Sequence, residues 1–291
     1  MIPTLAYPGI RRQRRRWQPK SIVLLGAAIV VAAMAIFPLY WMFLTSVTPM
    51  GALLTKQPTL FPQLELLSID AYVSAFTDKD VLRWFGNSVM VTVGSSALAM
   101  VVSLMAGYSL SRLPSRGQGA TGYALLLTRI IPGTVLVLPL FIMFNSIGLT
   151  DGLLALVLAN ATIIVPFAAW LMKGFFDGIP YELEEAAMID GCSRFQAVCK
   201  IVLPLTAPGL AATALYATMT AWGDFLFART LIDSTDLWTL TVGLSTFMNE
   251  NGTDWSGLMA VGLLSVLPLV VLFFVLQPFF VGGLASGGVK G

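Results

Sequence analysis

Few residues in this 291-residue sequence are suited to acid–base or metal chemistry. Histidine is absent, which removes the usual general base and the commonest metal ligand. The two cysteines, Cys192 and Cys199, match neither a zinc-site spacing nor a disulfide framework. No G-x-x-x-x-G-K-[ST] phosphate loop is present in the sequence, so nothing indicates a nucleotide site of this type. These observations predict a non-catalytic chain that carries no cofactor of its own.

Two ionisable residues, Arg129 and Asp224, stand inside long apolar stretches. Ionisable side chains at membrane depth usually face a bundle interior or a water-filled path. Counted along the predicted spans, the depths of these two residues differ by about 10 Å at 1.5 Å per residue. The sequence therefore does not decide whether Arg129 and Asp224 form an ion pair.

The polar stretch 178–208 has the features of two short helices joined by a glycine turn. Three acidic residues complement the dipole of the first helix near its start: Glu182, Glu184 and Glu185. Gly191 can adopt the left-handed conformation that ends a helix. Ser193 and Gln196 form a capping box that opens the second helix, and Pro204 ends it.

The first of these helices has the composition of a docking surface. Ala186 and Ala187 leave a small face that another protein can approach closely. Glu184, Glu185 and Asp190 offer negative charge to a basic partner. A helix lying on the membrane surface is the alternative, but an anionic helix would be repelled by the anionic inner leaflet. The sequence therefore favours a protein partner.

The rest of the chain consists of the elements that must position these residues. Hydrophobic residues make up 57% and charged residues 11%, against about 25% charged in soluble domains. A helical span needs about 20 mostly apolar residues, and six segments qualify: 21–47, 84–110, 120–144, 153–176, 207–227 and 257–281. The first run is too long for a signal peptide and lacks a cleavage site. We expect an all-α polytopic membrane protein with one transmembrane domain, 21–291, after a basic N-terminus, 1–20.

The distribution of Lys and Arg predicts the orientation of the spans. Twelve of the seventeen fall on one side: Arg11, Arg12, Arg14, Arg15, Arg16, Lys20, Arg112, Arg116, Lys173, Arg194, Lys200 and Lys290. Both termini should then be cytoplasmic, as should the segment 178–206 and the tail 282–291. The long loops 48–83 and 230–256 should be outside.

A motif in the polar stretch occupies Glu185-Ala186-Ala187, Gly191, Ile201 and Leu203-Pro204. Its spacing resembles the EAA motif of permeases from binding-protein-dependent ABC importers. In that family this segment is the coupling helix, between spans four and five, and sits in a cleft of the ATPase subunit. The resemblance implies that Glu185 faces a basic group there and that Gly191 makes the turn.

The resemblance extends over nearly the whole chain and is to the smaller, six-span permease of maltose-type systems. Asn87-Ser88 and Ala106-Gly107-Tyr108 resemble recurrent sequences of that branch. Thr253, Asp254 and Trp255 are similar to its outer-loop pattern, which implies contact with a binding protein. The tail Val289-Lys290-Gly291 resembles the family's end, which reaches between the ATPase subunits. Relatives commonly carry Asn-Glu where this chain has Gly223-Asp224.

The resemblance implies half of a translocation pathway in the bacterial inner membrane, for a mono-, di- or oligosaccharide or a related polyol or glycerol phosphate. It also implies a second permease of different sequence in a heterodimer. Two ATPase subunits would bind ATP and Mg²⁺, and an extracytoplasmic sugar-binding protein or lipoprotein would deliver cargo. Membrane lipid is the remaining partner, since a net charge of +2 gives no indication of nucleic acid.

For a sugar cargo, Trp222, Asp224 and Asn160 are candidates to line the path, with Arg129 as a fourth. A carboxylate accepts hydrogen bonds from sugar hydroxyls, and an indole face covers the apolar side of a pyranose. Interhelical hydrogen bonds that only stabilise packing are an equal alternative for these residues. An ion-gradient-driven secondary transporter is the alternative function, and Asp224 would be its one clear coupling carboxylate.

Overall fold

The structure is a computed structural model that describes residues 19–55, 60–113, 116–250 and 252–287. Its helices, in chain order, are α1 Pro19–Ser46, α2 Met50–Thr55, α3 Asp70–Thr77, α4 Val81–Arg112, α5 Gln118–Leu127, α6 Gly133–Ser146, α7 Leu153–Asp177, α8 Glu182–Ile189, α9 Arg194–Ala197, α10 Leu203–Leu205, α11 Ala207–Trp222, α12 Leu226–Leu231, α13 Leu240–Ser245 and α14 Trp255–Gly287. Two short antiparallel strands, β1 Met248–Asn249 and β2 Gly252–Thr253, precede α14.

Within the described residues, four helices are long and apolar enough to cross a membrane: α1, α4, α7 and α14. Two bent pairs bring the number to six if each pair is one span. The predicted polytopic helical membrane protein is confirmed, with four to six candidate spans.

The predicted third span, 120–144, is wrong as a single helix, because it bends by 97° between Ile130 and Gly133. Ile131 is extended, with ψ at 117°. This residue precedes Pro132, whose ring disfavours the helical conformation of the residue before it. The helix therefore ends before the proline, and a new helix starts after it in a different direction.

The predicted fifth span, 207–227, also differs from the structure. Its helix α11 ends at Trp222 and bends by 77° against the helical stretch Arg194–Leu205 that precedes it. After Trp222, Gly223 interrupts the helix, and glycine is among the weakest helix formers. A separate short helix, α12, then begins at Leu226.

Helices α4 and α7 form the centre of the bundle, and α11 packs against both. Their contact is close because small residues lie along it, a common feature of membrane helix pairs. A Cβ atom added to Gly107 would lie 2.8 Å from the Cβ of Met172 and 3.0 Å from the carbonyl oxygen of Ala169. Next to this contact, buried alanines of α4, α7 and α11 pack together with Ile164 of α7.

In the described parts of the segments predicted as outer loops, 48–83 and 230–256, Lys79 donates from Nζ to the carbonyl oxygen of Thr246 at 3.4 Å. The second segment also packs against the start of α4. Asn87 donates hydrogen bonds to the carbonyl oxygens of Asp236 and Trp238, at 2.8 and 2.9 Å. Ser88 accepts one from the amide of Leu240, at 2.8 Å. Trp84 covers Gly243, where a larger residue has no space. These segments therefore form a folded cap rather than simple connections.

Candidate functional site

The polar stretch forms the two helices that the sequence predicts. Helix α8 ends at Ile189, and Gly191 follows in the left-handed region with φ at 92°. The amide of Cys192 donates to the carbonyl oxygen of Ala187 at 3.0 Å and closes the helix end. The capping box is also confirmed, with reciprocal bonds of 2.9 and 3.3 Å between Ser193 and Gln196.

The second helix has the predicted length but is less regular than expected. It starts as α9, continues through a π-helical stretch at Val198–Val202 and ends with α10. Such wide turns often occur at functional sites in helices. Pro204 is exposed at its end, while Ile201 is half-buried. Leu203 packs inward with Met172 and Phe176, so its position in the motif is explained by packing within this chain.

One face of α8 is open to a partner. Glu185, Ala186 and Asp190 are exposed, as the docking prediction requires. Ile189 lies on the same face, four residues after Glu185, and is 86% exposed. Phe195 on α9 is 75% exposed. The prediction did not include these two apolar residues, although the helical spacing from Glu185 to Ile189 was available in the sequence.

The prediction that Glu184 offers its charge to an outside partner is wrong. Its side chain is 2% exposed, and its Oε1 lies 2.7 Å from the Nε of Arg112. The contact is an ion pair by distance rather than an aligned hydrogen bond. The hydroxyl of Tyr108 donates to the other carboxylate oxygen at 2.9 Å. Ala187 is also buried, so the small face toward a partner is reduced to Ala186.

Arg112 joins this carboxylate to the end of α7. Its Nη2 donates to the carbonyl oxygens of Phe176 and Ile179, at 2.8 and 2.7 Å. Such carbonyls at a helix end have no partner within the helix. Its guanidinium also lies over the ring of Tyr181, at 5.7 Å. The sequence gives no indication of this arrangement, because the groups come from three separate elements.

Arg129 lies at the break between α5 and α6. Its Nη1 donates to the hydroxyl of Tyr216 at 2.7 Å, and its guanidinium lies over the rings of Phe167 and Tyr216, at 5.1 and 5.4 Å. Within the described ranges, no ion pair joins it to a carboxylate. Arg129 and Asp224 therefore do not pair in this chain.

Asp224 caps α12. Its two carboxylate oxygens accept hydrogen bonds from the amides of Phe227 and Ala228, at 3.1 and 3.2 Å. The side-chain amide of Asn160 approaches the same carboxylate at 3.5 Å and also donates to the carbonyl oxygen of Leu156 at 3.0 Å. The structure thus brings Asn160 and Asp224 together as predicted, and it gives both a packing role.

Trp222 does not face an open path in this chain. It is 8% exposed, lies edge-to-face with Phe85 at 5.6 Å and donates from its indole nitrogen to the carbonyl oxygen of Ser265 at 3.0 Å. For Trp222 the structure favours the packing alternative over the cavity hypothesis, because both its ring and its N–H group are engaged.

The predicted binding-protein contacts lie in β2 of the β1–β2 hairpin and directly after that strand. Thr253 is half-buried in β2, and Trp255 is exposed at the start of α14. Asp254 accepts a hydrogen bond from the amide of Gly257 at 3.0 Å and so caps α14. The tail residues Val289, Lys290 and Gly291 lie outside the described residues. In the part of the chain that the structure describes, no group of three or more acidic residues or cysteines could hold a metal ion.

Comparison with known proteins places these features in a family. Residues 99–285 match the family described as "Binding-protein-dependent transport system inner membrane component". The chain is 34% identical to the inner membrane ABC transporter permease protein YcjP of Escherichia coli (strain K12), over 88% of this chain and 91% of the relative. It is 34% identical to the arabinooligosaccharides transport system permease protein AraQ of Halalkalibacterium halodurans, over 90% and 93%. It is 31% identical to the diacetylchitobiose uptake system permease protein DasC of Streptomyces coelicolor, over 91% and 95%.

The fold is similar to that of solved ABC importers. A chain of a bacterial ABC transporter involved in import of the acidic polysaccharide alginate superposes with a TM-score of 0.75 at 24% identity, over 94% of this chain and all of that one. A chain of the MetNI methionine ABC transporter, in an inward-facing conformation, gives a TM-score of 0.57 at 21% identity, over 70% and 95%.

Proposed function

Since this chain belongs to the inner-membrane components of binding-protein-dependent transport systems, we propose that it forms half of the translocation pathway of an ATP-driven carbohydrate importer. The carbohydrate cargo is supported by the arabinooligosaccharide and diacetylchitobiose systems of its relatives, which align over about nine tenths of the chain. A mono-, di- or oligosaccharide, or a related polyol or glycerol phosphate, fits this class.

The exposed face of α8 is the observation that supports coupling of this chain to a separate ATPase. Glu185, Ala186 and Ile189 combine a charge, a small residue and a large apolar side chain on one accessible surface. Exposed apolar residues within a polar rim mark protein contacts. In the proposed complex, ATP and Mg²⁺ bind to two ATPase subunits, whose closure moves α8. The tail 289–291 reaches between those subunits.

The proposed topology has six spans, with each bent pair counted as one and both termini in the cytoplasm. The bias of Lys and Arg in the loops supports it, since such residues concentrate on the cytoplasmic side. α8 then lies in the cytoplasm, and the cap made by 48–83 and 230–256 lies outside. There the hairpin and Thr253, Asp254 and Trp255 are available to a sugar-binding protein or lipoprotein.

Two helix breaks support a path through the membrane beside this chain. Non-helical backbone at membrane depth is tolerated only where it is buried in protein or lines a water-filled cavity. Arg129 is exposed next to the break at Ile131, and Asp224 lies at the break after Trp222. An exposed arginine facing lipid costs about 3 kcal/mol at the helix centre. We therefore expect Arg129 to face the path or the second permease, which in a heterodimer is a different chain.

The ion-gradient-driven alternative has less support. It needs an intramembrane carboxylate that is free to bind the coupling ion, and both oxygens of Asp224 accept backbone hydrogen bonds. The family and the relatives named above are components of ABC systems.

Uptake by proteoliposomes that contain the complete complex tests the proposed function. We expect radiolabelled oligosaccharide, presented with its binding protein, to accumulate only with ATP inside and to persist when an uncoupler removes ion gradients. Uptake without ATP that stops when the uncoupler is added would establish the alternative.

A further inference from the structure

The two neighbouring glutamates of α8 differ in their surroundings. Glu185 is exposed, whereas Glu184 is almost fully buried and has both carboxylate oxygens engaged by α4. Arg112 in the last turn of α4 supplies the ion pair, and Tyr108, one turn earlier, supplies the hydrogen bond. The buried charge of α8 is therefore held by this chain itself.

The same arginine holds α7. Its bonds to the carbonyl oxygens of Phe176 and Ile179 fasten the end of that helix to the end of α4. The planar guanidinium can direct its donors toward several acceptors at once, which a lysine ammonium on a flexible stem does less well. One side chain thus connects α4, α7 and α8.

The packing around Arg112 leaves little room for α4 and α7 to slide against each other. The ring of Tyr108 meets that of Phe176 edge-to-face at 5.8 Å. Gly107 lies so close to Met172 and Ala169 that even a methyl group has no space. The ends of α4 and α7 are therefore locked together where α8 attaches.

A buried ion pair is a poor source of stability, because desolvation offsets much of its attraction. Apolar residues of similar volume in place of Arg112 and Glu184 would give a fold of similar stability. Stability alone therefore does not explain the ion pair, and we look for a second role. We propose that Arg112, assisted by Tyr108, is a positioning residue that makes α8 and the ends of α4 and α7 move as one rigid body. Glu184 is the internal anchor of this body and Glu185 its external contact. The inference rests on the proposed coupling of α8 to an ATPase.

The first test compares three variants in the complete complex. Glu184→Gln keeps the shape of the side chain but removes its charge, and Arg112→Lys keeps the charge but not the planar donors. Glu65→Gln neutralises an exposed glutamate outside α8 and is the control. The measurement is ATP hydrolysis with and without cargo-loaded binding protein.

We expect Glu184→Gln to assemble with the ATPase and to keep basal hydrolysis, while cargo stimulation falls about tenfold, within the usual range of coupling between sites. Arg112→Lys should lose less, and the control should match the unmodified chain. Full stimulation in both Glu184→Gln and Arg112→Lys would overturn the proposal.

A distance measurement distinguishes loss of the attachment of α8 to α4 from a general loss of stability of the chain. With Cys199→Ser, the native Cys192 takes one spin label and exposed Ser109→Cys on α4 takes the other. We expect one narrow distance distribution that is the same without nucleotide and with ATP, and a broader one in Glu184→Gln. If the distance between the two labels changes between nucleotide states in the protein that keeps Glu184, rigid-body movement is refuted. This measurement does not depend on which surface of α8 meets the ATPase, so it can fail or succeed independently of the proposed function.

Discussion

Arg112 and Glu184 form a buried ion pair, with 2.7 Å between Nε and Oε1, that joins the end of α4 to α8. Their side chains are only 7% and 2% exposed. The pair divides the acidic cluster of α8 into an inward part and an outward part. Glu185, next in the chain, is left as the exposed acid that a partner can reach.

Reversal of the outward charge should uncouple transport. In Glu185→Lys, the lysine would repel the basic group that the family resemblance implies on the ATPase. We expect uptake by the reconstituted complex to fall at least tenfold, about 1.4 kcal/mol of lost coupling, while hydrolysis by the isolated ATPase is unchanged. Glu65→Lys carries the same charge reversal at an exposed position outside α8 and should retain uptake. Normal uptake with Glu185→Lys would count against the docking face.

The turn after α8 should require glycine. Gly191 has φ at 92°, which costs other residues about 1–2 kcal/mol. Gly191→Ala should lower stability by that amount, and Gly191→Pro should disrupt the turn, because proline fixes φ near −65°. Gly174, a helical glycine of α7 with open space around its Cβ position, provides the control Gly174→Ala. Thermal unfolding and cargo-stimulated hydrolysis measure the effects. Equal behaviour of the two alanine variants would refute this role.

The cap on α12 distinguishes the two roles of Asp224. Loss of a helix cap costs about 1 kcal/mol, so Asp224→Ala should lower the apparent melting temperature of the purified complex. If Asp224 also lines the path, uptake should fall further than stability explains. Asp224→Asn can keep only one of the two capping bonds, so it should lose less stability than Asp224→Ala but still lose uptake. Unchanged uptake and cargo-stimulated hydrolysis in Asp224→Ala would rule out the path role.

Asp151 should add a pH-dependent term to the stability of the loop before α7. The Ser234 hydroxyl, at 2.6 Å, and the amides of Ser234 and Asp233 hold the pKa of its carboxyl below the usual range. A carboxyl with a lowered folded-state pKa stabilises the fold above its unfolded pKa of about 3.9 and loses this contribution as pH falls through the folded value.

We therefore expect acidification from neutral pH to lower the apparent melting temperature more in the unmodified chain than in Asp151→Asn. Melting curves of the purified complex over this range provide the measurement. Asp233→Asn is the control, because that residue contributes only its backbone amide to the contact. An identical pH dependence in all three proteins would contradict the assignment to Asp151.

Local rules predicted the parts of this site that depend on neighbouring residues. The turn at Gly191 and the capping box at Ser193 follow from backbone conformation and short-range hydrogen bonds, and both are present. The break at Pro132 follows from an equally local rule, but a proline inside an apolar run can either kink a helix or end it, and the sequence does not distinguish the two. The burial of Glu184 beside the exposed Glu185 could not be predicted, because Arg112 reaches Glu184 only once α4 and α7 have packed.

The central claim, that the exposed face of α8 contacts an ATPase, is tested most directly by photo-crosslinking. A benzophenone amino acid at position 189 replaces Ile189, which is 86% exposed on this face, and one at position 138 replaces the exposed Leu138 of α6 as a control. We expect irradiation of the assembled complex to give an adduct between position 189 and the ATPase subunit, and none from position 138. An assembled, transport-competent complex with no ATPase adduct at position 189 would contradict the account.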